Sequence, residues 1–130
     1  MDIRVRFAVV DGKVGRLHAR AFGVSGRVAG WGERLERHAL TWVGAFEDDR
    51  LIGFVQVAWD GGAHAFVLDT AVDPDWQGRG VGATIVKTAV DEARRAGCEW
   101  VHVDYEPHLE TFYVDRGGFR PTSAGLIHTR

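Results

Sequence analysis

Cysteine is almost missing from this chain. Cys98 is the only one in 130 residues, which excludes an internal disulfide and a cysteine-rich zinc site and suits a reducing compartment. An excess of either charge is missing too: 16 Lys plus Arg stand against 18 Asp plus Glu, a formal charge of −2. That balance gives no global pull toward nucleic acid or an anionic membrane, so any attraction for an anion must be local. No apolar run is long enough to span a membrane and no basic, apolar leader opens the chain, so a cytoplasmic location is expected. The six histidines lack metal-ligand spacing, with His102 and His108 across a strand-loop junction and His64 remote in sequence, and no structural metal is expected. Repeats and low-complexity linkers are absent, and the length predicts one domain, residues 1–130, with a single site.

What is present is alternation and turn chemistry. Val5–Val10 reads as a first strand ended by Asp11-Gly12, followed by short helices over Gly15–Phe22 and Val28–Leu40. Trp42–Phe46 and Leu51–Trp59 are strand-like and joined by the polar Glu47-Asp48-Asp49-Arg50, a hairpin signature. After the turn Asp60-Gly61-Gly62, His64–Val72 continues the antiparallel run until Asp73-Pro74 stops it. Val81, Ile85, Val86, Ala89, Val90 and Ala93 then form one apolar stripe at helical spacing, and Gly97 ends that helix. Trp100–Asp104 predicts a strand, His108–Arg116 a short helix, and Phe119–Thr122 with Leu126–Thr129 a closing pair of strands. The expected class is α/β in the α+β sense: antiparallel strands, one strand-loop-helix-strand crossover, and a closing unit.

Between the third antiparallel strand and the amphipathic helix stands Gln77-Gly78-Arg79-Gly80-Val81-Gly82. A helix start leaves N–H groups unpartnered and carries a partial positive charge, so main chain at this place can hold a phosphate. Gly78, Gly80 and Ala83 also fit the dinucleotide fingerprint, with Glu99 downstream, but the residues between Val72 and Gly78 and the antiparallel strands before them fit that fold poorly. A P-loop is excluded, because no Gly-Lys-Ser or Gly-Lys-Thr follows.

The passage Ala71–Ala83, AVDPDWQGRGVGA, closely resembles the acetyl-CoA signature of the GNAT family of N-acetyltransferases, with Gln77, Gly80 and Gly82 in the signature places. Phe112-Tyr113 through Gly117-Gly118-Phe119 is similar to the family's C-terminal aromatic-Tyr helix and the Gly-Phe after it. The resemblance implies a GNAT acyltransferase fold, a mostly antiparallel mixed sheet splayed between its fourth and fifth strands and flanked by helices. It implies acetyl-CoA as co-substrate and a primary amine of a small molecule or peptide as acceptor, attacking the thioester directly. Ala71 and Val72 would hold the pantetheine arm through main chain, the amides of Arg79, Gly80, Val81, Gly82 and Ala83 would hold the pyrophosphate with the Arg79 side chain adding charge, and Gln77 and Gly78 complete the cofactor-binding set. Where many members have an Asn before the motif Tyr, this chain has Glu106 followed by Pro107, a change that leaves main-chain contacts untouched.

Tyr113 matches the general acid for the departing thiolate, a task that a phenol of pKa ~10 suits. The base that deprotonates the amine is not named by the resemblance. Asp69, a lone acid in an apolar strand, is the first candidate, with Asp104, Glu106 and His108 at the opposite strand end as others. Trp31, flanked by Gly30 and Gly32, and Trp59 are candidates for lining the acceptor pocket, and Cys98 reads as a small core residue. A homodimer is compatible with the sequence, which carries no sign for or against it. A non-catalytic acyl-CoA sensor and a nucleotide-binding module remain as alternatives.

Overall fold

The computed structural model describes residues 1–23 and 30–130. Strand β1 (Asp2–Val5) is followed by helices α1 (Asp11–Phe22) and α2 (Trp31–His38), strands β2 (Ala39–Glu47), β3 (Arg50–Trp59) and β4 (His64–Val72), helix α3 (Val81–Arg95) and strand β5 (Trp100–Val103). The sheet runs in the order β1-β2-β3-β4-β5, antiparallel except for the β4–β5 pair, as the single crossover through α3 requires.

Two cores sit on its two faces. On one, α3 packs Val81, Ile85, Ala89 and Ala93 against Val43, Ile52, Val55, Val57 and Val67. On the other, α1 and α2 bury Val14, Leu17, Trp31 and Leu35 over Trp42, Phe46, Phe54 and Ala71. Strand β3 is buried along nearly its whole length because it is covered on both sides, which explains its continuous apolar run Leu51–Val57, broken only by Gly53 and Gln56.

Two features open the sheet where a site can form. Parallel pairing of β4 with β5 covers only His64↔Trp100 to Val67↔Val103, while β4 continues to Val72, so the edge from Leu68 to Val72 faces a fork rather than a neighbour. Inside the same stretch the β3–β4 register slips: Phe54 pairs with Ala71 and Gln56 with Leu68, leaving Val55 opposite both Asp69 and Thr70. This bulge puts Asp69 at φ 58°, a left-handed conformation that costs about 1 kcal/mol for a residue with a side chain.

Several sequence expectations are corrected. The first strand is Asp2–Val5, not Val5–Val10: Arg6, at φ 51°, turns the chain away from the sheet, and Phe7 keeps contact by accepting a hydrogen bond from the Trp42 indole at 2.9 Å and by packing its ring edge-on against Phe46 and Phe54. Asp11-Gly12 therefore opens α1 instead of ending a strand, and the Asp11 carboxylate accepts from the Gly32 N–H at 2.9 Å, tying the starts of α1 and α2. The start of the expected helix Val28–Leu40 lies outside the described residues; its described part is α2. His108–Arg116 is not one α-helix but a 3₁₀ turn, Pro107–Leu109, and a π turn, Thr111–Arg116, in which the Gly117 N–H reaches back to the Phe112 carbonyl at 3.0 Å. Phe119–Thr122 and Leu126–Thr129 form no strands, because neither finds a sheet edge; Leu126 and Ile127 remain exposed.

Candidate functional site

The fork, the glycine loop and the bulge lie together along β4. Asp73, just past the strand, starts the loop. Its N–H donates to the Ile52 carbonyl at 2.8 Å, and its carboxylate accepts from the Asp75 N–H at 2.9 Å and from Arg50 at 3.0 Å, with Arg20 at 3.4 Å. Burial opposes the charge of this carboxyl, but the Asp75 N–H and the Arg50 and Arg20 guanidinium groups outweigh it and hold Asp73 below the usual carboxylate range. The loop is thus pinned at its base by an acid 3% exposed.

Beyond the pin the main chain is open. None of the N–H groups from Gly78 to Ala83 donates to an acceptor among the described residues, and no side chain caps α3. Gly80 takes the cap position at φ 81°, which only glycine adopts without strain. At Gly82 a side chain would press on Phe112, whose ring lies 3.2 Å from where a Cβ would sit. The loop and the Phe112-Tyr113 turn therefore meet across the fork. The Arg79 guanidinium stacks over the Trp76 ring, 4.8 Å from its centroid. Gln77 reaches back to donate to the Val72 carbonyl at 3.3 Å, so that carbonyl is already engaged.

Tyr113 is buried and stacked on Tyr105 with centroids 5.5 Å apart, with Phe112 and Phe119 at its edges. Asp104, Glu106 and His108 follow β5, all exposed on the other side of the fork from β4.

At the bulge the structure assembles a cluster that sequence reasoning found only through Asp69. The Asp69 carboxylate accepts from Gln56 Nε2 at 2.7 Å and from His18 Nε2 at 3.0 Å, and Arg34 stands 3.7 Å away. An ionised carboxylate can only accept, so the His18 proton is on Nε2 and, in the neutral ring, the lone pair is on Nδ1. The imidazole is held between Phe22 at 4.5 Å and Trp31 at 5.2 Å, and Arg34 lies over the Trp31 ring at 4.5 Å. Asp-His pairing of this kind fixes a ring's tautomer and direction. His18 carried one weak sign in sequence: it shares the helical stripe of Val14, Leu17 and Phe22.

Of the two tryptophans expected at an acceptor pocket, Trp31 is beside this cluster but is itself 1% exposed. Trp59 is not brought to it. It pairs with Ala65 at the far end of β3, on the α3 side of the sheet. Cys98 is a partly buried thiol packed against the α3 core, pushed up in pKa by burial and then by Asp60.

The model of the acetyltransferase (GNAT) family matches residues 14–117. The chain belongs to this family. Among relatives, it is 29% identical over 70 residues to an uncharacterised N-acetyltransferase, ycf52, of Pyropia yezoensis, covering 54% of this chain and 40% of that protein. Over 57 residues it is 39% identical to a probable glucosamine 6-phosphate N-acetyltransferase of Oryza sativa, covering 44% of this chain and 34% of the relative. The chain thus spans about two fifths or less of the length of these relatives. A probable acetyltransferase of Staphylococcus aureus, 26% identical, superposes with a TM-score of 0.81 over 99% of this chain and 100% of that one. The glucosamine-6-phosphate N-acetyltransferase of Arabidopsis thaliana shares the fold, with a TM-score of 0.78 at 17% identity over all of both chains. The GNAT fold of this chain, with its mixed five-stranded sheet, agrees with these structures. No described helix is long and apolar enough to cross a membrane.

Proposed function

We propose that this GNAT chain moves an acetyl group from acetyl-CoA to the primary amine of a small molecule or peptide by direct attack. The observation that carries the reading is the fork: β4 parts from β5 after Val67, and the free edge leads into a loop whose N–H groups, Gly78 to Ala83, are unengaged. A pantetheine arm fits along Leu68–Val72 as an added strand, held by main chain near Ala71, with the pyrophosphate on the loop and Arg79 beside it. The engaged Val72 carbonyl, bonded to Gln77, leaves less of that hold to Val72 itself.

The acceptor amine attacks the thioester carbonyl carbon while a main-chain N–H of the parted strand stabilises the oxyanion. The new C–N bond forms as the C–S bond breaks. His18 Nδ1, oriented by Asp69, accepts the amine proton, and the Tyr113 hydroxyl gives one to the departing sulfur. Asp69 then acts through His18, which distinguishes it from Asp104, Glu106 and His108, none of which is held by a comparable network. The Oryza relative, a probable glucosamine 6-phosphate N-acetyltransferase, makes small amino sugars the first acceptors to try.

The test is release of free CoA thiol from acetyl-CoA with a panel of amines, small and peptidic, under a fixed protein concentration. Acceptor-dependent thiol release supports the reading. Tight acetyl-CoA binding without release across the panel favours a sensor and overturns the transferase.

A further inference from the structure

We propose that His64 and His102 form a two-imidazole site for a divalent first-row transition ion of the Zn²⁺, Ni²⁺ and Cu²⁺ class. The inference is independent of acetyl transfer. Although distant in sequence, His64 opens β4 and His102 is the third residue of β5; since Phe66 pairs with His102 and His64 with Trp100, the two histidines are diagonal neighbours on one face. Their Nδ1 and Nε2 atoms are 2.8 Å apart and their ring centroids 5.1 Å apart.

That spacing is what a chelate needs. An ion about 2.05 Å from each nitrogen at a tetrahedral angle sets the nitrogens about 3.3 Å and the ring centroids about 5.2 Å apart. The rings therefore stand at chelating distance already, and a pivot of each by about 35° turns two lone pairs from each other toward a shared point. Without an ion the contact is a hydrogen bond that needs one nitrogen protonated and the other bare, which an ion replaces with two equivalent bonds.

The surroundings favour a cation. The His102 ring is braced by Phe66, stacked at 4.7 Å and 16°. The His64 main-chain N–H and the Gly62 N–H both donate to Asp60 Oδ1, at 3.2 and 2.8 Å, so a fixed carboxylate lies in the turn that delivers His64. Both rings border solvent, leaving room for water in the remaining coordination positions; the described residues contain no group of three or more ligands, so the protein supplies two. An ion here would bridge β4 and β5 on the closed side of the fork, directly beside its opening at Val67 and Val103.

The experiment titrates the metal-free full chain with ZnCl₂ and with NiCl₂, reading heat of binding, the thermal midpoint and the imidazole ¹⁵N resonances. One ion per chain is expected, with a raised midpoint and with shifts confined to the His64 and His102 rings. His64→Gln and His102→Gln should each weaken binding at least about tenfold, since one imidazole is left, whereas His128→Gln should leave it unchanged. Two independent variants keep the test decisive if one folds poorly by circular dichroism. Absence of binding below millimolar metal, binding indifferent to both substitutions, or shifts at other histidines would overturn the site.

Discussion

Tyr113 and His18 show how differently two residues of one proposed mechanism are written into a sequence. Tyr113 sits in a local pattern, five residues from Phe112 to Arg116 followed by two glycines, and could be picked out before any coordinates. His18 could not, because its meaning comes from Asp69, 51 residues away, and from Gln56, which meets the same carboxylate across the β3–β4 register. Replacing Tyr113 by Phe is expected to lower kcat about 10²-fold or more with little change in acetyl-CoA affinity, measured by steady-state kinetics and calorimetry. Undiminished turnover on the true acceptor would remove the tyrosine from the mechanism. His18→Gln is expected to lower kcat/KM at neutral pH and to flatten its rise with pH, because the rising limb then loses its base. A profile of unchanged shape would return His18 to a packing role.

Asp73 carries a stability expectation at the same scale. Its folded pKa is depressed, so its contribution is present above the ordinary carboxylate pKa of about 4 and is lost as pH falls through the lower folded value. Asp73→Asn is expected to cost about 1–3 kcal/mol at pH 7, and the gap from wild type should close on acidification below about pH 4. Urea unfolding across that range checks it. A gap that widens in acid would mean the carboxyl is not held in its charged form.

At the scale of elements, alternation and turn residues disclosed β2, β3, β4 and α3, since each buries one or both faces over many residues and two of the turns carry their own signature. Boundaries set by long-range pairing were hidden. Phe7–Val10 is as apolar as a strand, yet the Arg6 turn removes it from the sheet, and no local rule tells Leu126–Thr129 that no edge awaits it. The bulge was hidden as well, since a register slip depends on both strands. The loop, by contrast, was legible because its chemistry is local, and its mechanical role can be probed. Gly80→Ala forces a side chain into φ 81° and is expected to destabilise by about 1–2 kcal/mol and to raise the KM for acetyl-CoA more than that for the amine. An equal rise in both would place the effect on the fold in general rather than on the loop.

For the whole molecule, the composition argument limits recognition to local charge: Arg79, Arg20 and Arg50 gather near the loop of a chain whose net charge is −2. Binding of acetyl-CoA is accordingly expected to weaken with added salt, while the apolar core is not, a contrast that calorimetry and denaturation at two ionic strengths separate. The family and the sheet were foreseeable from motifs covering about half the chain, but the placement of Trp31 beneath Arg34 required the helices to be seen packed.

The four-residue seam between β4 and β5 has a wider consequence. Everything after it, Tyr113 included, is joined to the sheet by a short zipper, and amides along Trp100–Val103 should trade hydrogen for deuterium sooner than those of β3, which is flanked on both sides. A coenzyme wedged into the fork would touch both banks at once and act as mortar, so the protein would hold its final quarter most firmly while it is at work.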